Sequence, residues 1–337
     1  MRFCGIDLHS DNCVLVVTDE GDRVLVSRRC RNDLGVILGL LEAHRAELAG
    51  VVVESTYNWY WLVDGLKAAG YEVKLANTVA MRRYDGLKHG DDESDAAHLA
   101  QLLRLGILPE GYVHPPAERA LRDLGRKRAM LVRTRTRHVL AVENVLSRQW
   151  GHRLRSAEIK GLTVEKVDEL KLPESVALAV KADVAVIVAA NGQIGALEGE
   201  LLKAIRKCPK YTLLRSIPGI GEVLSIVILL EAGPIERFAA VGHFASYARC
   251  VGSAHYSNGK KKGEGNTKNG NAYLAWAFVE AAHFARRYCE EARRFFDRKR
   301  ARTNATVATK ALAHKLARAA YHVLKDDEPF DVKRCFA

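Results

Sequence analysis

Four carboxylates among the first hundred residues, Asp7, Glu54, Asp92 and Asp95, have the types and spacing that divalent-metal chemistry needs. Asp7 sits inside the apolar run Phe3-Cys4-Gly5-Ile6-Asp7-Leu8, where a lone acid would be costly to bury without a partner. Glu54 ends the β-branched run Val51-Val52-Val53-Glu54. Asp92 and Asp95 stand three residues apart at the start of a helical pattern, so both face the same way. Asp91, four residues before Asp95, would also pair sterically. Carboxylates gathered from two strand ends and a helix suit two magnesium ions and the cleavage of phosphodiesters. His9 reads as a polar residue at a strand end rather than an acid or base.

The elements that must position these groups follow from the pattern. Residues 2–8, 13–18 and 23–29 read as strands, the last two joined by the turn Asp19-Glu20-Gly21-Asp22. Leu34, Ile37, Leu38 and Leu41 mark a helix, followed by a strand at 50–54, a helix over 58–69 ended by Gly70, and a strand at 71–76. A further helix begins near Ser94. This β-β-β-α-β-α-β-α order predicts an α/β RNase H-like (RuvC-like) domain over residues 1–112, a mixed sheet with helices on both faces.

Pro109, Pro115 and Pro116 punctuate the exit from that domain. Residues 113–207 then read as a basic helical, coiled-coil linker built on helices over 117–150 and 174–207. Eleven Lys/Arg against two acids lie between Arg119 and Arg155. Arg126, Lys127, Arg128, Arg133, Arg135 and Arg137 form the heart of a stripe that suits a nucleic-acid backbone. Residues 208–337 read as a mainly α-helical third domain. Its Ile217-Pro218-Gly219-Ile220-Gly221 turn predicts a helix-hairpin-helix, with Gly219 and Gly221 opening backbone amides to a phosphate. A glycine- and lysine-rich loop follows, from Ser257 to Asn271, in which Lys260, Lys261, Lys262 and Lys268 are candidate phosphate contacts.

Composition agrees with a polyanionic partner: 52 Lys+Arg against 40 Asp+Glu leave a net charge of +12. The seven cysteines are scattered, with no CxxC or Cys/His cluster, which argues against zinc and against a disulfide framework. The N-terminus opens directly into a strand without a signal-peptide pattern. The longest apolar stretch is read around Val223–Ala232, too short to span a bilayer. A cytoplasmic protein with no membrane association is expected.

Gly5-Ile6-Asp7-Leu8-His9, Val53-Glu54-Ser55-Thr56-Tyr57, Asp92-Glu93-Ser94-Asp95-Ala96, Ile217-Pro218-Gly219-Ile220-Gly221, Tyr256-Ser257-Asn258-Gly259 and Lys268-Asn269-Gly270-Asn271 occur in this order. In them the chain resembles, nearly end to end, the DEDD transposases of the insertion-sequence 110 (also 116 and 902) family, bridge-RNA-guided recombinases. The resemblance implies a RuvC-like domain whose acids Asp7, Glu54, Asp92 and Asp95 bind magnesium. It also implies a coiled-coil linker and a C-terminal domain with Ser257 as nucleophile. DNA at element ends and target, a guide RNA and a homo-oligomer, dimer or tetramer, are the implied partners. Asn258 departs from the family's Ser-Gly, but Asn tolerates left-handed backbone nearly as glycine does. The family spacing of three favours Asp92 over Asp91. A hydrolytic, junction-resolvase-like nuclease and a non-catalytic nucleic-acid scaffold are the rival readings. A sugar-kinase-like ATPase is discarded, because Leu8-His9-Ser10 stands where that fold needs a Gly-Thr phosphate loop.

Overall fold

A computed structural model describes residues 1–81, 91–252, 254–264 and 269–337. It divides into two compact units, Met1–Val113 and His114–Ala337. The first holds strands β1 (Arg2–Leu8), β2 (Asn12–Thr18) and β3 (Val24–Arg31), helix α1 (Leu34–Glu42), β4 (Leu48–Glu54), α2 (Tyr60–Ala68), β5 (Val73–Ala76), the short α3 (Thr78–Met81), α4 (Asp92–Arg104) and β6 (Glu110–Gly111). The sheet order is β3-β2-β1-β4-β5-β6. β1 pairs antiparallel with β2 and parallel with β4, and β4 runs parallel to β5. This mixed sheet is compatible with the expected RNase H-like class. The edge strand β6, antiparallel to β5, was not anticipated: two residues are too few to leave a periodic signal.

Strand alternation sorts the residues onto two faces. Cys4, Ile6 and Leu8 of β1 join Val51 and Val53 of β4 against Ile37 and Leu41 of α1 and Leu62, Val63 and Leu66 of α2. The opposite face carries α4, with Val14 and Val16 against Ala96 and Val52 against Leu99. Gly5 makes that second contact possible. A Cβ there would lie 1.9 Å from the Ala96 carbonyl oxygen and 2.9 Å from the Ala100 nitrogen. With no side chain in the way, α4 lies directly on β1, and its N-terminus reaches the level of Asp7.

The second unit is mostly helical. It contains α5 (Pro116–Trp150), α6 (Ser156–Lys160), α7 (Glu174–Ile205), α8 (Pro209–Arg215), α9 (Glu222–Ala232), α10 (Val241–Tyr247), a hairpin of β7 (Ala254–Ser257) and β8 (Lys260–Glu264), α11 (Ala272–Tyr288), α12 (Glu290–Arg302), α13 (Ala305–Asp326) and α14 (Val332–Phe336). Val139, Val142 and Leu146 of α5 pack on Val180, Val184 and Ile187 of α7. Ion pairs His138–Asp183 and Arg128–Glu198 show that the two run antiparallel. A separate core joins α9, α11 and α13 through Leu224, Ile228, Phe278, Leu312 and Leu316. Contrary to expectation, the longest apolar stretch is α7, which by length and composition alone suffices to cross a membrane. Here one of its faces is spent on α5.

Candidate active site and the serine hairpin

Asp7 is 4% exposed near the end of β1. Ile6 pairs with Val53 in parallel register, which sets Glu54 beside Asp7 on the neighbouring strand. Asp92 and Asp95 occupy the first turn of α4. Asp91 is the helix cap: its side chain accepts from the Ser94 amide at 2.7 Å, and Ser94 Oγ closes the reciprocal half of a capping box. The cap engages Asp91, while the Asp92 carboxylate faces His9 at the end of β1. Among the described residues, Asp7, His9 and Asp92 form a group whose ligand atoms all lie within 4.8 Å of one another. Glu54 and Asp95 stand outside that tight group, one at the end of the next strand and the other one turn further along α4.

Two side chains, His9 and Arg29, meet the acids. His9 Nε2 lies 3.2 Å from Asp7 Oδ2 and 3.4 Å from Asp92 Oδ2. Arg29 of β3 donates to Asp92 Oδ2, and also to Asn12 Oδ1 at 2.9 Å. The Arg29 hydrogen bond, with smaller help from His9, holds the Asp92 carboxyl below the usual carboxylate range. Cross-strand register explains the reach of Arg29. Asp7 pairs with Val14 and Val14 with Arg29, so the three side chains line up on the face that α4 covers. From sequence His9 was read only as a polar residue at a strand end, and Arg29 was not singled out; the signal for Arg29 was a strand register that only turn geometry fixes.

The backbone of His9 is clamped from two loops. Its carbonyl accepts from Asn32 Nδ2 at 3.0 Å and Asn58 Nδ2 at 2.9 Å, and its amide donates to the Asn12 carbonyl at 2.9 Å. Asn58 lies four residues past Glu54 and is itself held by the Thr56 hydroxyl at 2.9 Å. The loops after β3 and β4 therefore converge on the residue that touches both acids.

In the second unit, the expected glycine-lysine loop is a two-stranded hairpin. Ser257 pairs with Lys260 around Asn258-Gly259, whose φ angles of 50° and 69° are both left-handed. This is the type I′ arrangement that Asn-Gly favours, and it sets Ser257 exposed at the tip. Lys260 and Lys262 are exposed on β8, which also carries Lys261; Lys268 lies outside the described residues. At the Pro-Gly turn, Gly219 has φ +86° and a Cβ there would lie 2.2 Å from the Ala281 carbonyl, so its smallness serves packing on α11. Gly221, the N-cap of α9, has open space around it.

The basic stripe on α5 is largely engaged within its own unit. Arg126 Nε and Nη2 donate to Glu231 at 2.6 and 2.9 Å, and Arg122 Nε donates to it at 2.8 Å. Arg128 pairs with Glu198, and Arg135 donates to Asn191 Oδ1 at 2.8 Å. Lys127, Arg133 and Arg137 are exposed, Arg133 with its guanidinium 5.6 Å from the Tyr273 ring centre. Glu231 is 3% exposed and also accepts from Asn271 Nδ2 at 2.7 Å. Burial would raise its carboxyl, but the Arg126 hydrogen bonds and the two arginine charges outweigh that and lower it. Asn271 caps α11 by accepting from the Tyr273 and Leu274 amides at 2.9 and 3.0 Å. Sequence reasoning missed this node, although an acid inside the apolar helix α9 was its visible mark.

A mixed sheet that gathers carboxylates at the end of its interior strand, joined to a helical unit, defines a class of metal-competent α/β proteins. Residues 4–150 match the IS110-type DEDD family described as Transposase, and residues 211–297 match the family described as Transposase IS116/IS110/IS902 family. Together the matches cover more than half of the chain, which belongs to the IS110 family of transposases. It is similar to the Insertion element IS110 uncharacterized 43.6 kDa protein of Streptomyces coelicolor, 28% identical over 141 residues. That match spans 42% of this chain and 35% of the relative, about a third of its length.

Proposed function

We propose that this chain cleaves and rejoins DNA strands at the ends of an insertion sequence and at its target. The observation that carries the reading is the convergence of Asp7 and Asp92 at the junction of β1 and α4. Two hard carboxylates, with Glu54 and Asp95 close in sequence register, are a donor set that fits magnesium. Asp7, Glu54, Asp92 and Asp95 would hold the ions, which when bound polarise the scissile phosphate and stabilise the leaving oxygen. Ser257 is the nucleophile: a bond forms from its Oγ to phosphorus as the bond to the leaving sugar oxygen breaks. The serine proton is released and the sugar oxygen gains one. The phosphoserine conserves the bond energy for rejoining to another strand.

The finer assignments belong to the same reading. Residues 113–207 act as a coiled-coil linker between the catalytic domain 1–112 and the domain 208–337, within a homo-oligomer. The exposed Lys127, Arg133, Arg137, Lys260 and Lys262 contact phosphates, and the Pro-Gly turn acts as a helix-hairpin-helix. A bound RNA selects the site by base pairing.

The test combines the full chain, RNA transcribed from the flanks of its element, Mg²⁺ and element-end DNA, with denaturation before analysis. A DNA–protein adduct that forms with the native chain and is lost in both Ser257→Ala and Asp7→Asn is the expected result. Cleavage without an adduct, indifferent to Ser257→Ala, would establish the hydrolytic nuclease instead.

A further inference from the structure

We propose that His9 is itself a ligand of the divalent ion, a nitrogen donor added to the carboxylates, and that the site therefore binds a first-row transition ion in preference to Mg²⁺. The inference rests on the reading that the acids hold a divalent ion, and deepens it. Its first support is distance. Ligands at right angles around an octahedral ion, each at about 2.0–2.2 Å, lie about 2.9–3.1 Å apart. The separations from His9 Nε2 to Asp7 Oδ2 and Asp92 Oδ2, 3.2 and 3.4 Å, are within a few tenths of that edge. The ligand atoms of Asp7, His9 and Asp92 all lie within 4.8 Å of one another, a span that one ion can bridge.

The second support is the state of the nitrogen. Nε2 is shielded from solvent and meets no partner in hydrogen-bonding geometry, although two carboxylate oxygens are near. A histidine placed merely to pair with Asp7 would aim an N–H along one of those lines. A ring nitrogen set between two carboxylate oxygens and aligned on neither is placed as a ligand would be. The third support is placement. His9 follows Asp7 by two residues, just past the end of β1, and Asn12, Asn32 and Asn58 fix its backbone from three directions. A clamp of this kind suits a side chain whose position matters to a few tenths of an ångström.

The consequence is selectivity. Mg²⁺ takes oxygen ligands in near-ideal octahedral geometry and dehydrates reluctantly, whereas imidazole is a good ligand for transition ions. Mn²⁺ is the probe, because it accepts both donor types and is paramagnetic. Pulsed electron paramagnetic resonance of Mn²⁺ bound to the full chain should show modulation from a directly bound ¹⁴N. That modulation should vanish in His9→Ala and in His9→Asp, the second of which keeps an all-oxygen site and guards against simple loss of binding. Competition titration should show Mn²⁺ favoured over Mg²⁺ by tenfold or more in the native chain, with the ratio shrinking in His9→Asp. Mn²⁺ whose binding depends on Asp7 but shows no nitrogen modulation would overturn the role of His9 and leave the carboxylate site standing. Mn²⁺ binding untouched by Asp7→Asn would overturn the carboxylate site as well.

Discussion

Glu231 offers a sharp test of how the second unit is held together. Its carboxylate accepts from Arg122, twice from Arg126 and from Asn271, at 2.6–2.9 Å, and it is nearly inaccessible to water. Glu231→Ala deletes the acceptor for all four bonds and removes the buried carboxylate set between two guanidinium groups. Breaking a buried pair from one side costs about 3–5 kcal/mol. For a unit of this size, each kcal/mol moves Tm by about 2–4 °C, so a fall of about 6–20 °C is expected by calorimetry. Glu198→Ala is the control: its carboxylate is 39% exposed, and loss of the pair with Arg128 should cost no more than about 1 kcal/mol. A finer perturbation separates geometry from charge. Asn271→Asp keeps the cap of α11, since Asp caps as well as Asn, but sets a second carboxylate against Glu231. Adding Glu231→Gln moves the donor to position 231 and the charge to position 271, so the double variant should recover part of the loss, with a coupling of about 0.5–3 kcal/mol. Equal, small shifts for Glu231→Ala and Glu198→Ala, or no recovery in the double variant, would refute the reasoning.

Gly5→Ala drives a methyl into the Ala96 carbonyl; it should destabilise the first unit by about 1–3 kcal/mol or more and abolish Mn²⁺ binding by moving Asp92 off Asp7, and unchanged binding would contradict the packing argument. Arg29→Ala removes the cation that an incoming metal must displace from Asp92, so calorimetric titration should show Mn²⁺ binding tightened several-fold, not weakened. His114 is 3% exposed, and burial first, then the Arg122 and Arg237 charges, push its pKa down to about 4 from an ordinary 6.5. The unfolded chain takes up a proton that the folded unit refuses, so the stability this residue contributes is full above about pH 6.5 and is lost as pH falls towards 4; denaturation curves across that window should flatten in His114→Gln.

The strands of the first unit were legible because their alternation is strict. Cys4, Ile6 and Leu8 all turn to one core, and β1 spans the residues expected of it. The two long helices were legible for the complementary reason: α5 starts on Pro116, ends at Gly151 in the left-handed region, and keeps one apolar face throughout. The hairpin at Ser257 was read as a loop, although Asn258-Gly259 is a strong hairpin signal. The five-residue strand beside it, Lys260–Glu264, has no apolar alternation to announce it. The helices α12 to α14 carry no motif, and only the spacing of Leu312, Leu316 and Ala320 marks the most buried of them.

The site divides along another line. Asp7 declared itself because an acid inside an apolar strand must be compensated, and that argument is local. Choosing between Asp91 and Asp92 is not local, since spacings of three and four both satisfy a helix face; the capping box engages Asp91 through Ser94 and so supports the proposed assignment of Asp92. The arginines of α5 show the limit of charge counting. A run of like charges in sequence looks solvated, yet Arg122 and Arg126 spend their charge on a single acid more than a hundred residues away. What a one-dimensional reading cannot supply is the partner of each charge, and here the partner separates a structural arginine from one left free to meet a phosphate. Exposed Lys127, Arg133 and Arg137 therefore carry the binding argument for this helix, and neutralising them should weaken nucleic-acid affinity and its salt dependence without lowering Tm, the reverse of what removing Glu231 should do.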